Sequence, residues 1–223
     1  MWSQDLINSP RKVLCVGFIL LLAFLAVSGC SSDSSGSRHG IFMDSVVDGL
    51  TFNTETLSGE TDFQGRFVFK PGEMVTFSIG GIILGTTVAQ NIITPLDLVN
   101  GAQDEKNPTV TNITRLLITL DEDSNPENGI TIRPELGVSL AGISVDFGMD
   151  PDEFAVDDDV LNVISIVNDL YTEADEGERT LCTVQDAQDH LAKTLDELAE
   201  NDYERDTHGG GGGGDGGGGG GCG

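Results

Sequence analysis

The chain has 223 residues and carries 37 aspartates and glutamates against 11 lysines and arginines, a formal net charge of −26. A surface this acidic repels nucleic acid and anionic lipid headgroups, so neither is expected as a direct partner of the folded part. The length suits one ordinary domain or two small ones, and such acidity suits a salty medium that screens self-repulsion.

At the N-terminus Arg11 and Lys12 lead into an apolar run from Val13 to Val27, closed by Val27-Ser28-Gly29-Cys30. A charged start, a short apolar stretch and small residues before a cut describe a secretory signal peptide over residues 1–29. The run falls short of the roughly 20 residues that a membrane-spanning helix needs. Small residues directly before Cys30 resemble the lipobox of bacterial lipoproteins. That resemblance implies a diacylglycerol on the Cys30 thiol, a cut before Cys30, an acylated new amine, and the lipid bilayer as a partner. Ser31 stands where aspartate would be the usual inner-membrane retention signal, which implies lipid anchoring at the outer membrane of a Gram-negative bacterium. Loss of the signal removes Asp5, Arg11 and Lys12, leaving 36 acidic against 9 basic residues, or −27. Trp2 goes too, and with Tyr171 and Tyr203 as the remaining tyrosines the chain is poorly equipped to stack on sugars.

Residues 30–40 read as a lipidated, flexible tether, because Ser31 to Gly40 is small and polar with nothing to bury. Residues 41–99 read as a β-rich module. Arg66-Phe67-Val68-Phe69-Lys70 and Met74 to Ile79 alternate with the period of two expected of half-buried strands. Lys70-Pro71-Gly72-Glu73 between them is a turn, and Gly80-Gly81 supplies another before Ile82-Ile83-Leu84. The pattern predicts a meander of short antiparallel strands.

Residues 100–205 change period and read as a helical part sharing the same core. Val110, Ile113, Leu116, Leu117 and Leu120 recur at helical spacing after the start signal Asn107-Pro108-Thr109. A polar loop from Asp121 to Gly129 leads to a short strand at Ile130-Thr131-Ile132. Val160, Leu161, Val163, Ile164, Val167 and Leu170 mark a second helix behind Asp157-Asp158-Asp159. The third carries Val184, Ala187, Leu191, Leu195 and Leu198, with Thr183 and Asp186 as a capping pair. Residues 206–223 form a Gly-rich tail, Gly209–Gly214 and Gly216–Gly221 around Asp215, which loses too much backbone entropy to fold alone. The fold class expected is α+β: a small antiparallel β-sandwich-like meander followed by three packed helices, between a disordered tether and a disordered tail.

Two resemblances reach the folded part. Gly59-Glu60-Thr61-Asp62-Phe63-Gln64-Gly65-Arg66-Phe67-Val68-Phe69 resembles a turn of transthyretin-like and carboxypeptidase-regulatory-like β-sandwiches. Locally, Asp62 can cap that turn and Gly65 can take its left-handed position. Over residues 44–198, six segments occur in order: Asp44 to Leu50, Pro71 to Gly81, Thr94 to Leu96, Asn112 to Leu117, Asn125 to Ile130, and Ala187 to Leu191. Their order is similar to that in proteobacterial surface lipoproteins labelled adhesin-like, whose activity is undefined and from which no site residues carry over.

Asp121, Asp123, Asn125 and Asn128 offer oxygens at alternating positions beside Gly129, as a calcium loop would. However, Pro126 stands where an EF-hand needs glycine and Ile132 where its bidentate glutamate should be, so the rival reading is a helix-ending turn. Asp150, Asp152, Glu153 and Asp157–Asp159 are a weaker cation candidate, since acidic runs also stabilise helix N-termini. His39, His190 and His208 have no partner at metal-ligand spacing. Asn112-Ile113-Thr114 matches a glycosylation sequon but lies on a predicted helix. Cys15 leaves with the signal, and Cys182 and Cys222 remain in a compartment where disulfides persist; an internal bond and a free Cys222 thiol both stay open. No glycine-flanked serine, phosphate-binding loop or Cys-x-x-Cys appears. The expected function is that of a non-enzymatic, lipid-anchored cell-envelope protein acting as a structural or interaction module on an unidentified envelope or extracellular protein. The alternative is a calcium-dependent binding module using the Asp121–Asn128 loop, calcium being the one candidate cofactor.

Overall fold

The computed structural model describes residues 36–171 and 178–201. The expected signal peptide, Cys30, most of the expected tether, the Gly-rich tail, His208 and Cys222 lie outside the described residues.

Among the described residues nine strands run in chain order: Arg38–Phe42 (β1), Val47–Asp48 (β2), Thr51–Thr54 (β3), Ser58–Glu60 (β4), Arg66–Phe69 (β5), Met74–Ile79 (β6), Ile82–Val88 (β7), Ile92–Ile93 (β8) and Ile130–Thr131 (β9). The described residues also hold five α-helices: Pro108–Thr119 (α1), Pro134–Ser139 (α2), Pro151–Phe154 (α3), Asp158–Tyr171 (α4) and Val184–Glu200 (α5). The fold is α+β. Among the described residues no helix is long and apolar enough to cross a membrane.

Strands β5-β1-β8 form one sheet and β4-β3-β6-β7 another. Alternation turns one face of each sheet inward, and phenylalanines close the gap between them. The Phe42 and Phe67 rings lie 4.8 and 5.1 Å from Phe77, and Phe52 lies 5.9 Å from Phe67. The same cluster continues into Ile113, Leu116 and Leu117 of α1 and Val163 and Val167 of α4, so strands and helices share one core. Arg115 of α1 is buried as well, donating from Nε to Cys182 O at 2.8 Å and from a terminal nitrogen to Pro151 O at 2.7 Å.

Two local expectations are met atom by atom. Asp62 Oδ1 accepts the N–H groups of Gln64 and Arg66 at 2.9 and 3.0 Å, and Gly65 takes φ +69°. Asn107 caps α1, accepting from Thr109 N and Val110 N, while Thr183 Oγ1 caps α5 by accepting Asp186 N and donates in turn to the Asp186 carboxylate. Asp150 and Asp157 likewise accept N–H groups at the starts of α3 and α4, so two members of the weaker cation candidate are caps.

Three differences stand out. Residues 38–40, expected in the tether, belong to β1, which is the middle strand of its sheet. Gly40 reads as linker but is a close-packing glycine: a Cβ there would meet the Phe67 ring and lie 2.5 Å from Gln90 O. The β part is not a plain antiparallel meander either. β1 pairs parallel with β8, β2 pairs parallel with β9, and β3 lies beside β6 because β5 crosses to the other sheet. Alternation dictates which side chains face inward but not which strand is the neighbour. Finally, α2 and α3 join the three expected helices; each is too short to show helical periodicity. The buried Asn112 side chain donates to Phe147 O and Met149 O, leaving its sequon inside the protein.

Candidate functional site

The polar loop after α1 and one face of α5 meet at the turn that follows β1. Asp121, at the end of α1, is buried, and its two carboxylate oxygens accept Thr131 N and Asn125 N at 2.9 and 2.8 Å. Asp123 accepts Asn125 N at 3.0 Å and Asn128 Nδ2 at 2.8 Å. The Arg179 guanidinium donates to the Asp121 and Glu122 carbonyl oxygens. Arg133 and Arg179 lie over the Tyr171 ring at 5.1 and 4.8 Å.

The four residues expected to hold calcium are therefore brought together, with the Asp121 and Asp123 carboxylates adjacent. Burial first, then neighbouring Asp123, pushes the Asp121 carboxyl up to about 6, against the pull of its two N–H donors. Each oxygen named already faces a donor, and Asn128 turns its amide nitrogen to the loop. A cation would have to displace those bonds. Among the described residues no three His, Cys, Asp or Glu side chains stand close enough to hold a metal ion, so calcium here would draw on amide and carbonyl oxygens.

Beside the loop lies an arrangement that spacing alone did not reveal. Met43 and Val46 bridge across a tight turn whose Ser45 has φ +53°. Asp44 in that turn is wholly buried, and neither carboxylate oxygen has a hydrogen-bond partner. Burial raises its carboxyl well above the usual range. His190 of α5 points at the turn: Nε2 is 3.6 Å from Asp44 Oδ1 and 3.4 Å from Ser45 Oγ. Thr194, one helical turn on, accepts Ser45 N at 3.2 Å. On its other side, His190 Nδ1 lies 3.8 Å from Glu127 Oε1, and Lys193 pairs with Glu127. Residues 190, 193 and 194 share a helix face, so α5 clasps the 43–46 turn and the 121–129 loop together. The 44–50 and 187–191 segments, remote in sequence, meet here.

Ser45, His190 and Glu127 have the connectivity of a serine–histidine–acid relay. The nitrogen that would take the Ser45 proton, however, also faces the buried Asp44 carboxyl. The imidazole thus lies between two carboxyl groups, and the nitrogen nearest Ser45 Oγ is also the one nearest Asp44.

Cys182 precedes α5 and lines an open cleft of about 350 Å³ with Pro126, Glu127, His190 and Lys193. Its thiol is pushed up to about 11, chiefly by burial, which leaves little thiolate at neutral pH. Cys182 is a free thiol among the described residues, while Cys222 and Cys30, the residue expected to carry lipid, lie outside them. His39 sits exposed on β1.

Sequence reasoning passed over Asp44, Ser45 and Glu127 as chemistry. One signal was available for Asp44: an acidic residue set between Phe42-Met43 and Val46-Val47. Comparison of the chain with protein-family models, with curated proteins and with solved structures finds no match in any of the three.

Proposed function

We propose that the chain is a lipid-anchored cell-envelope protein whose domain acts as a structural or interaction module rather than an enzyme. The observation that carries this reading is Val27-Ser28-Gly29-Cys30 at the end of a short apolar run, only eight positions before β1 begins. The site supports the non-enzymatic half: its histidine joins two segments of the fold, its one described thiol is protonated, and its acids are engaged by N–H donors or buried. The adhesin-like resemblance in the sequence fits the same role, with an envelope or extracellular protein as the partner. Fractionation of cells making Cys30→Ser tests the anchor. The variant is expected in the soluble fraction or as uncleaved precursor, because stable anchoring takes more than one acyl chain. Wild-type chain recovered free of membranes would contradict the reading.

The adjacent Asp121 and Asp123 carboxylates favour a second reading, a calcium-dependent module, since a divalent cation would relieve their mutual repulsion. Melting curves in excess calcium and in chelator separate the two. A calcium site occupied a hundredfold above its dissociation constant adds about 2.7 kcal/mol, a rise of several degrees. Superimposed curves support the first reading.

A further inference from the structure

The longest described strand stands at the edge of its sheet. β7, with 7 residues, has β6 on one side, and no described strand lies on the other. Ala89 N donates to Glu73 O on the β6 side at 2.8 Å, so by alternation Thr86 and Val88 turn their backbone N–H and C=O groups away from β6. Among the described residues no loop backbone takes them up. The helical turn Pro95–Leu98 packs Leu98 against Gly85, but from the core face, where Gly85 lies opposite the buried Phe77.

Folded proteins blunt such an edge with shortness, charge or proline. The other outer strands of the two sandwich sheets follow that rule: β4 has 3 residues and ends on Glu60, β5 begins on Arg66, and β8 has 2 residues. β7 does not. Neither it nor β6 nor β3 holds a charged residue, and none occurs between Glu73 and Asp97, in a chain of net charge −26. Its one guard is an irregularity at Leu84, facing the Phe77–Ser78 step, which leaves residues 85–88 regularly paired. On the outer face Ile83 and Val88 are 61% and 56% exposed, with Thr86 between them.

An unpaired backbone ladder takes an extended strand as its partner. Two copies of so acidic a molecule repel each other, and that repulsion is least along this uncharged stretch. An antiparallel pair of identical strands is also self-complementary about a two-fold axis, so one surface suffices. We propose that residues 85–88 of β7 pair with the same residues of a second copy of this chain, joining two four-stranded sheets into one. This goes beyond the anchored-module reading and does not depend on Cys30. A short edge makes a weak interface, under about 1,200 Å² of buried surface, and salt strengthens it by screening the two acidic domains.

The test follows the full mature chain in excess detergent by sedimentation equilibrium, up to high micromolar chain and at low and high salt. The expected result is a monomer–dimer equilibrium that moves toward dimer as salt rises. Ile83→Glu with Val88→Glu should weaken the dimer by about tenfold or more while the melting temperature changes little. Phe63→Glu with Val156→Glu adds the same charge at exposed sites outside β7 and should leave the dimer as in the wild type. Amide exchange in the unaltered chain separates edge pairing from stacking of sheet faces. The Thr86 and Val88 amides should exchange several-fold more slowly in the dimer than after dilution to monomer. A monomer at every concentration and salt overturns the proposal. So does a dimer weakened no more by the β7 pair of substitutions than by the other pair, or exchange at Thr86 and Val88 that is the same in dimer and monomer. If the β7 variant fails to fold, the exchange measurement decides alone.

Discussion

Asp44 sits in the turn between Met43 and Val46, wholly buried, with His190 Nε2 3.6 Å from its Oδ1. Asp44 and Asp121 both have carboxyls raised by burial, Asp121 to about 6. Each binds its proton more tightly in the folded than in the unfolded chain. The stability each contributes is therefore full below the ordinary aspartate value of about 4 and is lost as pH rises through the folded value. Asp44→Asn keeps the shape and removes the charge. At pH 8 it should melt higher than the wild type by about 2–4 °C, equivalent to about 1 kcal/mol, with a flatter pH dependence between 4 and 8. A fall of similar size at pH 8 would mean that Asp44 is held as an ion by His190. Asp44 was hard to read because its apolar flanks, Phe42-Met43 and Val46-Val47, are the one local mark of its burial; Asp62 and Asp157 were legible because capping acts over two to four residues.

At the scale of elements, what acts locally was legible and what depends on partners was not. The α1 and α5 caps, the Asp62–Gly65 turn and the three long helices follow from near neighbours in sequence. The parallel pairing of β2 with β9 joins Val47 to Ile130 across the whole β part, and nothing local specifies it. The β1 strand was hidden because Gly40, which makes its packing possible, is the residue type that flexible linkers favour. This moves the N-terminal boundary of the fold. A chain beginning at Gly36 should melt cooperatively, whereas one beginning at Asp44 loses the central strand of its sheet and the buried Phe42, and should lose the cooperative transition. Gly40→Val in the full chain should destabilise by about 1–3 kcal/mol, because neither the Phe67 ring nor the Gln90 carbonyl can withdraw freely. Equal melting temperatures for Gly40→Val and wild type would show that β1 is dispensable.

At the scale of the molecule, Val27-Ser28-Gly29-Cys30 ends eight positions before the first strand of an acidic domain. The clasp of α5 over the 43–46 turn and the 121–129 loop ties the β part to the helical part. The most direct test is the mass of the N-terminal peptide of protein purified from the envelope. The account predicts a peptide beginning at Cys30, with a diacylglycerol thioether on the side chain and a fatty amide on the amine. An unmodified N-terminus, at Cys30 or at any other residue, would contradict it.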